Sequence, residues 1–213
     1  MIFLLHTIWR VRQDFLRTLG STVSYRELEE HTLVKYKLDV SQKKQKRRIT
    51  DQLASFLEDP PPEAALYFTD GSASPNPGPS GAGVFRPAGP LPTLSTSVHL
   101  GHGSNNEAEL YAIGSALRSI LEGGGVGYSC IFTDSDYAHG ILERNNRVTK
   151  HKELAKAVKD LLHQARGVGT VFLVWIKAHA GHEGNERADT LAKEGASGVG
   201  CHIDLGKEHF LCE

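Results

Sequence analysis

Cysteine is scarce in this chain: Cys130, Cys201 and Cys212 are the only three among 213 residues. So odd and sparse a set excludes a disulfide framework and points to a reducing compartment. Net charge is nearly missing too, because 24 Lys and Arg face 25 Asp and Glu. No global basicity advertises a nucleic acid, so any attraction to a polyanion must be local. Long apolar runs are also lacking. The opening "MIFLLHTIW" is broken early by His6 and Arg10 and has neither a basic start nor a small-residue cleavage site. It is too short to cross a membrane and does not read as an export signal. The expectation is a soluble protein with no membrane partner, cytoplasmic, or nuclear in a eukaryote. There is no internal repeat.

What is present divides at "EDPPPE", residues 58–63. Consecutive prolines cannot continue a helix and favour stiff extended backbone, so residues 60–63 read as a linker. Before it, Leu5, Ile8, Val11, Phe15, Leu16 and Leu19 fall near helical spacing. Ser24 and Glu27 fit a capping box, and residues 42–57 read as a third helix. Residues 1–59 are therefore expected to form a small helical annex, too short for a large core of its own.

After the linker the pattern changes. Residues 64–69, 81–86 and 94–100 are strand-like runs joined by Gly/Pro segments, which suggests an antiparallel meander. Leu110, Ile113, Leu117, Ile120 and Leu121 then make a helical stripe that Gly123–Gly125 stop. "YSCIFT" (128–133) is a fourth strand, "DYAHGILER" a short helix and 150–166 a longer one. "TVFLVWIK" (170–177) reads as a fifth strand, so apolar that burial on both faces is expected. "GNERADTLAKEGA" is a last helix. The order βββαβααβα suggests an α/β fold, a mixed five-stranded sheet flanked by helices.

Four acids stand out. Asp70 ends the first strand and Asp134 the fourth, where open α/β sheets place ligand-binding groups. Glu109 is expected in the first turn of its helix, on the edge of the apolar stripe, where a carboxylate is costly unless paired. Asp189 shares a helix face with Asn185 and borders Ala188 and Ala192. Each alone has an ordinary explanation in turn initiation or the helix dipole. Converging, they would repel one another unless a cation neutralised them. An all-oxygen set suits Mg²⁺ or Mn²⁺, and two such ions would clamp an in-line phosphoryl displacement.

Four segments, "TDGSASPNPGPSGAG", "SNNEAELYAI", "FTDSD" and "IKAHAGHEGNERADTLAK", together and in this order resemble the ribonuclease H type 1 family over about residues 64–196. That resemblance implies an endonuclease that hydrolyses the RNA strand of RNA–DNA hybrids by two-metal-ion catalysis. Asp70, Glu109, Asp134 and Asp189 would be its metal-binding acids, holding two Mg²⁺ that Mn²⁺ can replace. His179 would be its mobile histidine, aiding proton transfer or product release, while His182 is left as structural. Asn76, Ser104, Asn105, Asn106 and Asn185 would contact the hybrid, since amides can read 2′-hydroxyls and base edges in a wide minor groove. Helix capping is the competing role for Asn105.

The sequence departs from the family at several points. Asp136 stands where many relatives have Gln, and Glu107 where Arg or Gln is common. The stretch between Asp134 and His179 is too short for the basic, tryptophan-bearing protrusion of some relatives; only Arg144, Arg147, Lys150 and Lys152 remain of it. A different basic run, "KYKLDVSQKKQKRR" (35–48), offers Lys43, Lys44, Lys46, Arg47 and Arg48 as a nucleic-acid anchor. The rival role for that run is a solvated helix face or an import signal. Cys201, His202, His209 and Cys212 lie in the tail, residues 197–213, too closely spaced for a zinc finger. A monomer is expected. Two other functions fit the same motifs: a ribonuclease H domain associated with a reverse transcriptase, and a catalytically silent binding module of the same fold.

Overall fold

The computed structural model describes residues 57, 60, 62–123, 128–144 and 146–198. The annex at 1–56, most of its junction with the linker, the basic run and the Cys/His tail lie outside the described residues. Five strands form one sheet: β1 (Ala64–Ala73), β2 (Gly78–Arg86), β3 (Leu94–Gly103), β4 (Tyr128–Thr133) and β5 (Thr170–Trp175). Four helices accompany them: α1 (Asn105–Glu122), α2 (Asp136–Leu142), α3 (Lys152–Val168) and α4 (Glu183–Ser197). The order βββαβααβα is as the sequence predicts. The last helix runs slightly past the expected domain border at 196.

The strands lie in the order β3-β2-β1-β4-β5, with β1 antiparallel to β2 and parallel to β4. The meander is joined by tight Gly/Pro connections; Ala73 pairs with Ser80, and Ser74 N–H donates to Pro79 O at 3.1 Å to close the first hairpin. Both proline bonds in that turn, Ser74–Pro75 and Asn76–Pro77, are cis. β1 and β2 are longer than the apolar runs predicted, because pairing continues through Gly71 and Ser72 into the turn.

One sheet face carries the main core. Leu110, Ile113, Leu117 and Ile120 of α1 pack there with Tyr67, Val84, Ile131 and Leu173 of the sheet and with Val158 and Leu162 of α3. Ser104 caps α1, its hydroxyl accepting from Glu107 N–H at 3.3 Å, and Gly123 N–H closes the other end on Ser119 O. The opposite face carries a second cluster of Ala64, Leu66, Phe68, Cys130, Phe132, Phe172 and Ile176, to which α4 contributes Ala188. Across β2 and β3, α4 lies flush on the sheet: a Cβ on Gly83 would stand 2.2 Å from Ala188 O. Ser97 Oγ and His99 Nδ1 then donate to Leu191 O and Gly195 O, both at 2.8 Å.

The fifth strand differs from its expectation. It is buried on both faces only through Leu173; Val174 is partly covered and Trp175 is 42% exposed. β5 is the sheet edge.

Candidate active site

Parallel pairing places Thr69 opposite Thr133, so the next residues, Asp70 and Asp134, lie side by side. Asp134 follows the end of β4, but Asp70 does not end β1 as expected, because pairing with β2 continues to Ala73. Glu109 reaches them from α1 because the helix backbone touches the strand. A Cβ on Gly71 would lie 2.2 Å from Glu109 N, a contact only glycine permits. Each of the three acids offers a carboxylate oxygen within 4.8 Å of the other two. Glu109 is the fifth residue of α1, in its second turn and not its first as expected. The helix dipole therefore gives no reason for an acid there, and its side chain is only 8% exposed.

The electrostatics are those of an unneutralised cluster. Burial, then the charges of Asp134 and Asp189, push the Asp70 carboxyl up from 3.8 to about 7, against the opposing pull of the Gly71 N–H and Lys193. Burial first, then Asp70 and Asp134, hold Glu109 well above the usual carboxylate range. Its Oε2 is buried without a hydrogen-bond partner, and so is Asn185 Oδ1. Such orphaned oxygens are costly in a folded protein and satisfied by a cation. With oxygen the only ligand type among the three acids, the site fits a hard divalent metal ion.

Neighbouring groups fix the Asp134 end. Asn185 Nδ2 donates to Asp134 Oδ2 at 2.9 Å, and the indole N–H of Trp175 donates to the Asp134 carbonyl at 3.0 Å. Asn185 thus stands on a metal-site acid, whereas the sequence places it with the substrate contacts. Trp175 was missed, because its role depends on β5 pairing parallel to β4, with Trp175 opposite Thr133. Asp189 is outside the trio: its carboxylate is held by Lys193 at 2.6 Å, although its charge still acts on Asp70. Spacing of four along a helix makes that pair readable in advance.

The remaining candidates are spread around this centre. His179 is exposed in the β5–α4 loop, on left-handed backbone with φ 51°. His182 occupies the N-cap position of α4, its carbonyl accepting from Asn185 and Glu186 N–H, in keeping with a structural role. Asn76 Oδ1 accepts from Asn105 N–H at 3.1 Å, and Asn105 Oδ1 accepts from Ala73 N–H. The two amides therefore staple the first hairpin to the start of α1. Capping falls to Ser104 and not to Asn105, a correction that follows from Ser104 holding the extended N-cap backbone. The Ser104 hydroxyl also meets His151 Nε2 at 3.3 Å, and Asn106 is exposed. Asp136 pairs with Arg144. Lys43, Lys44, Lys46, Arg47 and Arg48 lie outside the described residues.

The comparisons with known proteins agree with this geometry. The sequence profile of the family described as RNase H matches residues 62–197. A "Ribonuclease H" of Jannaschia sp. is 39% identical over 144 residues, which span 61% of this chain and 89% of that relative. A "Ribonuclease H" of Edwardsiella ictaluri is 39% identical over 150 residues, 65% of this chain and 93% of its own length. Among solved structures, a ribonuclease H1 isolated from compost by a metagenomic approach superimposes with TM-score 0.54 at 26% identity, covering 64% of this chain and 97% of that one. Ribonuclease H1 of Halobacterium salinarum, at 21% identity and TM-score 0.53, shares the fold over 64% of this chain and 99% of its own. The chain belongs to the ribonuclease H family.

Proposed function

We infer that the protein is an endoribonuclease that hydrolyses the RNA strand of RNA–DNA hybrids, leaving 3′-hydroxyl and 5′-phosphate ends. The observation that carries this reading is the buried trio Asp70, Glu109 and Asp134 in a chain of this family, with the Glu109 Oε2 left for a ligand. We assign the site two Mg²⁺, replaceable by Mn²⁺, held by the trio together with Asp189. Bound there, such ions supply the Lewis acid that activates water and stabilises the leaving oxygen.

The chain's own residues hold and orient. Asn185 and Trp175 fix Asp134 at its carboxylate and its carbonyl. His179, on an exposed loop, moves a proton at the reacting phosphate or helps product leave. Asn76 and Asn105 spend their oxygens on the staple, which turns each Nδ2 to donation toward the hybrid's minor groove. Ser104 and Asn106 extend that contact line at the start of α1. The basic run at 35–48, in an annex (1–59) tied on by the linker at 60–63, draws in the phosphates. Among the described residues no helix is long and apolar enough to cross a membrane. A monomer acting in the cytoplasm fits this role.

The test is cleavage of labelled hybrid, duplex RNA and duplex DNA, each with Mg²⁺ and with chelator. Selective cutting of the RNA strand in the hybrid, abolished by chelation, is expected. Hybrid bound but left intact with every divalent metal would replace this reading with a silent binding module.

A further inference from the structure

The helix α3 and the connection before it carry charge of one sign. Residues 147–159 hold five Lys or Arg (Arg147, Lys150, Lys152, Lys156 and Lys159) against one acid, Glu153, in a chain whose net charge is −1. At about 3.6 residues per turn, Lys152, Lys156, Lys159 and His163 fall within an arc of about 60°. The apolar residues Leu154, Val158 and Leu162, which seat the helix in the main core, lie outside that arc. Lys152, Lys156 and His163 are exposed and Lys159 is half-buried. Arg147 and Lys150 are exposed too.

Elsewhere Arg144, Arg166 and Lys193 are each held by an acid, namely Asp136, Glu143 and Asp189. None of the five cations at 147–159 makes an ion pair among the described residues, although Glu153 and Asp160 stand three and four residues from Lys156. Like charges three and four apart on a helix repel, and an anion from outside relieves that repulsion. A lysine face is ordinarily a solvated one; the place of this one in the fold argues for more. α3 starts at the contact line of the site: His151 Nε2 lies 3.3 Å from the Ser104 hydroxyl, and Lys152 follows directly. From Lys152 to Lys159 the helix rises about 10 Å, at about 1.5 Å per residue. A duplex strand presents a phosphate about every 3.4 Å of axis, so three ammonium groups over that length face about three successive phosphates.

We propose that Lys152, Lys156 and Lys159 form a second nucleic-acid contact, holding backbone phosphates of the hybrid arm that extends past Ser104, away from the acid trio. The proposal rests on the reading of the hybrid as substrate. Ammonium groups act as point charges and read no base edge, so the contact is independent of sequence. It supplies, on the body of the nuclease domain, the local basicity that a net charge near zero demands.

Binding of labelled hybrid to the full chain, measured in chelator across a range of salt, tests this. Lys156→Glu with Lys159→Glu is expected to lower the log–log salt slope by about 0.9 for each lysine lost, the B-form value. In Mg²⁺, KM on a long hybrid should rise about tenfold or more, with kcat unchanged. On a hybrid just long enough to cover the acid trio and the Asn76–Asn105 staple, both should stay as in wild type. Lys156→Gln with Lys159→Gln, which removes charge without reversing it, gives the same pattern at smaller size. An unaltered slope in both variants, or an equal loss on short and long hybrids, would overturn the proposal. Absence of hybrid cleavage by wild type would remove the enzyme reading instead, and the binding in chelator still decides this contact.

Discussion

The indole N–H of Trp175 and the carbonyl of Asp134 are joined at 3.0 Å, across the ends of two parallel strands. The ring is otherwise 42% exposed, an unusual position for a tryptophan with only a packing role. It holds the backbone from which a site carboxylate projects. Trp175→Phe keeps a ring and removes the donor. The expected outcome is a stability loss of about 1 kcal/mol and a higher Mg²⁺ concentration for half-maximal cleavage. Thermal unfolding and a metal titration check the two halves separately; loss of stability with an unchanged titration would make the contact structural.

The repulsion within the acid trio predicts a pH dependence. In metal-free protein the Asp70 carboxyl is raised from 3.8 to about 7, so the folded state binds the extra proton. Stability from this group is complete below about pH 4 and is lost as pH rises to about 7. Asp70→Asn removes that loss. With chelator present, its Tm should match wild type near pH 4 and exceed it at pH 8 by about 2–4 °C for each kcal/mol relieved. Cleavage should be abolished in the same variant. Near wild-type cleavage in saturating Mg²⁺ would remove Asp70 from the site.

Gly71→Ala brings a methyl group to 2.2 Å from the Glu109 backbone nitrogen. Neither backbone can give way cheaply, so a stability loss of about 3 kcal/mol is expected, as for other overpacked contacts. The surviving folded fraction should also bind metal more weakly, because strand and helix are forced apart. Denaturant unfolding and Mn²⁺ binding read these out.

His179→Ala should slow turnover about 10²-fold or less and leave metal affinity unchanged, as expected of a proton-transfer aid and not of a ligand. A shift in the metal titration would give His179 a different role.

The charges at 35–48 bear on substrate attraction. Reversing Lys43, Lys44, Lys46, Arg47 and Arg48 to Glu should raise KM and flatten the log–log salt dependence of binding. On B-form duplex each lost phosphate contact changes that slope by about 0.9. Single-turnover cleavage at saturating hybrid should change little. Unaltered binding at low and moderate salt would assign the run to another partner.

The strands and helices around the site were readable in the sequence because apolar periodicity and glycine stops act locally; the serine caps were not read in advance. Ser104 and Ser135 each sit immediately before a helix and accept from its third residue. Asp70 and Asp134 were readable as acids directly following apolar strand runs, although β1 continues past Asp70 to Ala73, and Glu109 from being an acid beside a stripe. What could not be read depends on pairing between distant segments. Trp175 reaches Asp134 only through the β4–β5 register, and the Asn76–Asn105 staple only through the docking of a hairpin on a helix. The turn of α1 holding Glu109 was misjudged because the N-cap is Ser104, which lengthens the helix ahead of the acid. The exposed end of β5 was missed because an apolar run does not reveal which strand is the edge.

The Thr69–Thr133 register also sets which changes of length the gene can absorb. A residue deleted inside Tyr128–Thr133 would move the following Asp134 by one position and turn it to the opposite side of the sheet, away from Asp70. The same deletion in the connection between Arg86 and Leu94 leaves that pair of strands in step. The coding frame of this small central strand is thus as constrained as the acids themselves, although none of its side chains belongs to the acid trio.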